Sequence, residues 1–366
     1  MCVQPHIILK MTNVRYKLLL KMCETLKILV VGDTHFKVSN IRDVSVMSDA
    51  IIKVIHECKP DIIVNLGDTL NDHEKVHVIA LVKATEFLYK QAQLAPLKLL
   101  MGNHDLKNQK QFCSQEHPFT SLKYWGPSLT LVDDVMSEYI KGHHIVYSPY
   151  VPPERFEEAM TKCADLASAT CVFGHVEILG CQMGAIKSVN GAKWPLTSPL
   201  LISGHIHDYQ ELQPNVIYTG TPIQHSYNDT HDKTISLFTF RSQTDYTHNR
   251  IDLELPKKRI ERIECAQVSS YVPRPNCDLK IIIRGTVGDL RAITKHPNVL
   301  AWKALGHKVT FRDIPLEYIN NIDVMQRAIN KAPARFSEVF YLALPERLKQ
   351  TYLKVYGSVR TSSLLT

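Results

Sequence analysis

Residues 26–35 read LKILVVGDTH, residues 61–68 read DIIVNLGD, and residues 97–105 read LKLLMGNHD. Each is a short apolar run that stops at glycine followed by Asp, Asn or His. Runs of this length, rich in Val, Ile and Leu and closed by a turn residue, fit strands covered on both faces; a helix needs about ten residues or more with a 3.6-residue period. Helical spacing does follow, at 46–58 and at about 75–93, so the chain alternates strand, polar loop and helix. That alternation predicts an α/β fold whose strand tips gather polar side chains at one end, where ligands of α/β sheets bind. Further strands are expected at 129–132, 144–147, 170–173, 199–203 and 215–219, and two of these also run into Gly-His.

Five motifs sit at the tips. They are Asp33-Thr34-His35, Gly67-Asp68, Gly102-Asn103-His104-Asp105, Gly174-His175 and Gly204-His205-Ile206-His207. Alone, each has an ordinary reading: Gly-Asp is a turn, Gly-Asn-His-Asp a polar loop, and a single histidine a hydrogen-bonded core residue. Together, in order, they supply the oxygen and nitrogen donors of a dinuclear metal site. Hydrolysis of a phosphate ester needs a nucleophile at neutral pH and compensation of phosphoryl charge, and two divalent cations about 3.5–4 Å apart meet both needs. A mixed carboxylate, amide and imidazole set suits manganese, iron or zinc better than magnesium. In Asp33-x-His35 and His205-x-His207 the paired side chains leave an extended strand end on the same side.

The set DxH, GD, GNHD, GH and GHxH, spread over about residues 26–240, resembles the calcineurin-like metallophosphoesterase superfamily. The resemblance implies an α/β fold, a four-layer β-sandwich flanked by helices. It implies that Asp33, His35 and His207 hold one metal, that Asn103, His175 and His205 hold the other, and that Asp68 bridges them. His104 would then stabilise the transition state of an in-line attack or protonate the departing oxygen. A narrower similarity, to the SbcD-type DNA repair exonucleases and the small subunit of bacteriophage recombination endonucleases, rests on FGHVEILGCQMG (173–184) and GHIHDYQELQPNVIYTGTPIQHSYND (204–229), with the basic region beyond. It implies two manganese ions, DNA as substrate, and an SMC-like ATPase of the SbcC type as partner. Homodimers are common in that group. Its cellular members place a second functional histidine three residues after the bridging Asp, where this chain has Asn71; Asn71 or Asp72 is left with a supporting or loop-capping role.

A chain of 366 residues has room for a full core and a second, smaller domain. The boundaries read as a leader of uncertain status at 1–25, a metallophosphoesterase domain at 26–256, a β-α-β capping domain at 257–315 and a helical C-terminal region at 316–366. Within the cap, LKIIIRG (279–285) and HKVTFRD (307–313) are strands and a helix lies around 287–295. Charge separates these regions: 28–256 carries a net −7, whereas 257–313 carries twelve basic and five acidic residues. The basic region is either a solvated face or a surface that attracts a polyanion toward the acidic core. By the resemblance, the cap contacts DNA and 316–366 docks on the ATPase.

No run approaches the roughly 20 apolar residues of a membrane span, and a secretory pattern is missing, so a cytoplasmic location is expected. Nine cysteines without a CxxC pair fit a reduced compartment. His143 and His144 alternate along a strand and read as surface positions; His225 and Asp229 could touch phosphate but read as loop residues; Asp133-Asp134 reads as a turn, and Cys171 and Cys181 as core. Three functions remain in view: a metal-dependent DNA nuclease of recombination or repair, a phosphodiesterase or phosphatase for a small molecule or phosphoprotein, and a scaffold that keeps the fold without catalysis. The complete ligand set and His104 argue against the scaffold.

Overall fold

The computed structural model describes residues 24–313 apart from 74, with isolated positions 344 and 349. The leader at 1–23 and nearly all of the C-terminal helical region lie outside the described residues. The chain divides into two compact units, with the boundary between Lys257 and Lys258.

Among the described residues the first unit holds fourteen strands: β1 (Leu26–Val31), β2 (Ile62–Asn65), β3 (Leu97–Leu100), β4 (Leu129–Val132), β5 (Met136–Ile140), β6 (His143–Tyr147), β7 (Cys171–His175), β8 (Gln182–Met183), β9 (Ile186–Lys187), β10 (Leu200–Gly204), β11 (Gln210–Gln213), β12 (Val216–Tyr218), β13 (Ile235–Phe240) and β14 (Tyr246–Ile251). Two six-stranded sheets form from them, ordered β14-β13-β1-β2-β3-β4 and β11-β12-β10-β7-β6-β5. In the first sheet β1 to β4 are parallel, and β13 pairs antiparallel with β1. In the second, β6, β7, β10 and β12 are parallel and the edges antiparallel.

The two sheets face each other across one apolar layer. Ile28 and Val30 of β1 and Val64 of β2 meet Tyr147, Phe173 and Ile202 there. Their neighbours Leu29, Val31 and Ile63 point to the other face, against helices α1 (Ile41–Cys58) and α2 (Val78–Ala92). Both faces of β1 and β2 are therefore buried, which is why these strands read as unbroken apolar runs instead of alternating ones. Helix α1 buries Val44, Met47, Ile51 and Ile55, a spacing of three and four that makes one apolar face. It ends at Lys59 in the left-handed conformation (φ 47°). On the far side of the second sheet, Val172, Leu201 and Tyr218 pack on Trp194 and on helix α3 (Phe156–Met160). The result is the four-layer arrangement.

The polar strand tips come from both sheets: the first three motifs end strands of the first sheet, and the last two end strands of the second. Two sequence expectations need correction here. His143 and His144 are not surface residues, being 0% and 5% exposed. His143 Nε2 reaches the Glu24 carbonyl, and His144 Nδ1 reaches Ser168 Oγ while its ring stacks on Tyr139. Alternation on a strand predicted opposite directions correctly but missed that both directions are covered. Asp133 likewise does more than turn the chain: 7% exposed, it sits 3.3 Å from His117 Nε2 and 2.5 Å from Lys123 Nζ.

The second unit is a three-stranded sheet in the order β15 (Lys257–Glu264), β16 (Cys277–Gly285), β17 (Lys308–Asp313), with β16 and β17 parallel. Two helices, α4 (Val287–Ile293) and α5 (Pro297–Ala304), fill the crossover where the sequence suggested one; Pro297 begins the second. Leu279, Ile281 and Ile283 of β16 pack on Leu290, Val299 and Trp302, so this unit has its own small core.

Candidate metal centre

Glycine lets the ligand loops approach one another. Gly67 has φ 103°, and a Cβ there would lie 2.6 Å from the Gly102 nitrogen and 2.9 Å from His175 Nδ1. Any side chain would push the second, third and fourth motifs apart. His35, Asp68 and His205 themselves take positive φ (45°, 49° and 78°), the left-handed region that costs a non-glycine residue about 1–2 kcal/mol. Three such residues in one place mark a site held against local preference by its surroundings.

The seven expected ligands and His104 come together. Asp33, His35 and His207 offer ligand atoms within 4.8 Å of one another, as do Asp68, His175 and His205, and as do His35, Asp68 and His104. His35 Nε2 lies 3.1 Å from His207 Nε2. Asn103 Oδ1 lies 3.0 Å from His175 Nε2 and 2.9 Å from His205 Nδ1. Between these groups stands Asp68, whose Oδ2 is 3.7 Å from His35 Nε2 and 3.4 Å from His175 Nε2. One carboxylate oxygen thus faces both sets of donors.

The electrostatics ask for cations. Asp33 and Asp68 are 0% and 2% exposed, and among the described residues neither has a lysine or arginine partner. Two buried carboxylates in such a position are costly unless positive charge reaches them. Burial pushes the Asp33 carboxyl well up, His175 opposing and Asp68 adding to the effect. Burial acts the same way on Asp68, but His175 and His35 outweigh it and keep that carboxyl ionised. Burial, with His175 adding, lowers His205 to about 3, and burial also lowers His35 and His207, so these rings offer neutral lone pairs. His175 differs: burial lowers it, yet Asp68 and Asp33 more than offset that and raise it to about 9. Its Nδ1 donates to the Leu66 carbonyl at 2.8 Å, which turns Nε2 toward the donors. Anionic oxygen, amide oxygen and neutral imidazole converging on one point fit a two-metal centre.

His104 is aimed in the same way. Its Nδ1 donates to the Asn71 carbonyl at 2.6 Å, leaving Nε2 for the site, and its backbone N–H donates to Asp68 Oδ1 at 2.8 Å. Asn71 therefore supports His104 through its main chain.

Several further residues shape the site in ways the motifs did not disclose. Asp105, 0% exposed, accepts N–H bonds from Thr69 (3.2 Å), Leu70 (2.9 Å) and Gly102 (3.0 Å), and so ties the Asp68 loop to the Asn103 loop. Burial, with Asp68 adding, pushes its carboxyl up to about 7. His225 packs 4.8 Å from the His35 ring and 5.6 Å from the His207 ring, and its Nε2 lies 3.1 Å from the Asp33 carbonyl; burial lowers it to about 3. Lys233, 5% exposed, donates to the His207 carbonyl (2.7 Å) and to Asp208 (2.9 Å). His73 stacks on His104 with centroids 4.4 Å apart. Of these, Asp105 lies within the third motif and His225 was weighed as a phosphate contact, but neither role could be read from the sequence; His73 and Lys233 carried no signal beyond lying near a motif.

Residues 26–209, half of the chain, match the calcineurin-like phosphoesterase family. A protein of Invertebrate iridescent virus 6, provisionally named phosphoesterase 244L, is 37% identical over 284 residues, covering 74% of this chain and 98% of its own length. Its counterpart in Invertebrate iridescent virus 3, provisionally named phosphoesterase 078R, is 32% identical over 305 residues, 81% of this chain and 87% of its own length. Among solved structures, TT1561 of Thermus thermophilus aligns at 11% identity over 62% of this chain and 99% of its own, with a TM-score of 0.41. The chain belongs to the calcineurin-like phosphoesterase family, and its His, Asp and Asn cluster is a candidate metal centre of that class. No helix among the described residues is long and apolar enough to cross a membrane.

Proposed function

We propose that the protein is a manganese-dependent DNA nuclease that hydrolyses phosphodiesters in recombination or repair. The observation that carries the hydrolytic part is the convergence of Asp33, His35, Asp68, Asn103, His175, His205 and His207 on one point, with His104 beside it. The nucleic-acid part is supported by the second unit, where residues 257–313 carry a net +7. A cytoplasmic site of action and an SMC-like ATPase partner of the SbcC type, engaged through residues 316–366, belong to the same reading.

When bound, two divalent cations supply positive charge against the phosphoryl oxygens and acidify water. The protein's own groups do the rest. Asp68 stays ionised between the two donor sets and fixes their separation. Asn71 holds the His104 Nδ1 proton, so a proton on Nε2 is the one placed to pass to the departing ester oxygen. The buried setting, with Asp33 and His175 fully covered, strengthens each of these interactions by excluding water.

The test is hydrolysis by the purified protein with manganese of single-stranded DNA, duplex ends and bis(p-nitrophenyl) phosphate, beside His104→Ala. Cleavage of DNA that is lost in the variant supports the proposal. Hydrolysis of the aryl ester or of a phosphoprotein with DNA untouched would replace it by a phosphatase or small-molecule phosphodiesterase.

A further inference from the structure

Lys37 lies two residues beyond His35 and turns back toward the site. Its Nζ donates to Asn71 Oδ1 at 3.2 Å, and the carbonyl of the same Asn71 receives the His104 Nδ1–H. Asn71 thereby links a lysine to the proposed proton donor. The far end of its amide, Nδ2, is taken by Asp72 at 3.0 Å, so the amide cannot flip away from the lysine without losing both bonds. The charge of Lys37 reaches the pocket, being one of the groups that hold down the proton affinity of His225. Among the described residues no carboxylate lies within salt-bridge distance of Lys37, as is true of several other lysines; what sets Lys37 apart is its place, held by Asn71 beside His104. A half-buried lysine positioned by a neutral amide next to the proposed proton donor is placed to meet an anion that comes from outside.

We propose that Lys37 is the subsite for the phosphate next to the scissile one, and that it selects substrates with consecutive phosphodiesters over isolated phosphate esters. The inference rests on the nuclease reading and adds a residue to it. The scissile phosphate is met by the donor cluster and His104, whereas its neighbour along a nucleic-acid strand is a second full negative charge outside the reach of those groups. Lysine suits this task as a compact point charge that does not demand a bidentate geometry. Its contact is with backbone phosphate and carries no base preference, so sequence-tolerant cleavage follows.

The test compares the manganese-loaded wild type with Lys37→Ala and Lys37→Arg. The ratio of kcat/KM for a single-stranded oligodeoxynucleotide to that for bis(p-nitrophenyl) phosphate is expected to fall about fivefold in the alanine variant and to recover in the arginine variant. In a His104→Ala background, where binding is read without turnover by fluorescence anisotropy, adding Lys37→Ala should flatten the dependence of log Kd on log salt by about 0.7, one phosphate contact on a single strand. An unchanged ratio with an unchanged slope overturns the subsite while leaving the nuclease reading intact. Wild-type protein that cleaves the aryl ester and ignores the oligonucleotide overturns both, and does so before any variant is made.

Discussion

Replacing Asp105 by asparagine keeps the volume and shape of the side chain and changes only what its second oxygen can do. The carboxylate accepts three backbone N–H groups, Thr69 and Gly102 on Oδ2 and Leu70 on Oδ1. The best orientation of an asparagine puts its carbonyl toward Thr69 and Gly102 and its NH2 group against the Leu70 N–H. One hydrogen bond is then lost and two buried donors face each other without an acceptor, at about 1–3 kcal/mol for each unsatisfied group. A total of about 3 kcal/mol should lower the melting temperature of the metal-free protein by roughly 6–12 °C for a unit of this size. The same change loosens the Asp68 loop against the Asn103 loop, so manganese affinity should fall as well. Differential scanning calorimetry in EDTA and titration calorimetry with manganese read the two effects separately. An Asp105→Asn protein with wild-type melting temperature and wild-type metal affinity would refute the idea that this carboxylate joins the two loops.

Other outcomes follow from the same geometry. His104→Ala should lower kcat/KM by about 10²- to 10⁴-fold, the usual worth of a positioned proton donor, while titration calorimetry still shows manganese binding; loss of binding would make His104 a ligand instead. Manganese at about one hundred times its Kd should stabilise the folded protein by about 2.7 kcal/mol per site, seen as a rise in melting temperature that EDTA reverses; no rise would argue against a built metal centre. His248, stacked on Phe238 at 4.2 Å, gives an acid-sensitivity prediction. Burial, with Arg250 adding, lowers its folded pKa to about 4, whereas the unfolded ring titrates near 6.5. Above 6.5 the ring is neutral in both states; as pH falls the unfolded chain binds the proton first, so stability declines between about 6.5 and about 4. After discounting for the ring's partial exposure, the loss is about 1–2 kcal/mol. His248→Phe should remove that part of the slope in urea melts taken across this range, and an unaltered slope would assign the acid sensitivity elsewhere.

The sequence by itself determined the phosphoesterase class and most of the candidate ligand set, because each motif is local. A strand buried on both faces must be apolar throughout, so its end is visible as an abrupt change to Gly-Asp or Gly-His, and the residue that leaves the tip is the candidate ligand. Asp33, Asp68, Asn103, His175 and His205 could all be found that way. Tertiary structure decided the rest. His35 meets His207 across 172 residues because β1 and β10 lie in different sheets packed face to face, a relation no spacing reveals. The burial of His143 and His144 depends on what covers β6. His225 reads as a loop residue until the loop is seen against His35. Asp105 sits inside the Gly-Asn-His-Asp motif, yet its work is to hold the backbone of a loop 36 residues earlier. Asn71 drew notice in the sequence only as a departure from the resembled group and Lys37 drew none; their link to His104 is visible only where the first and second motifs lie side by side.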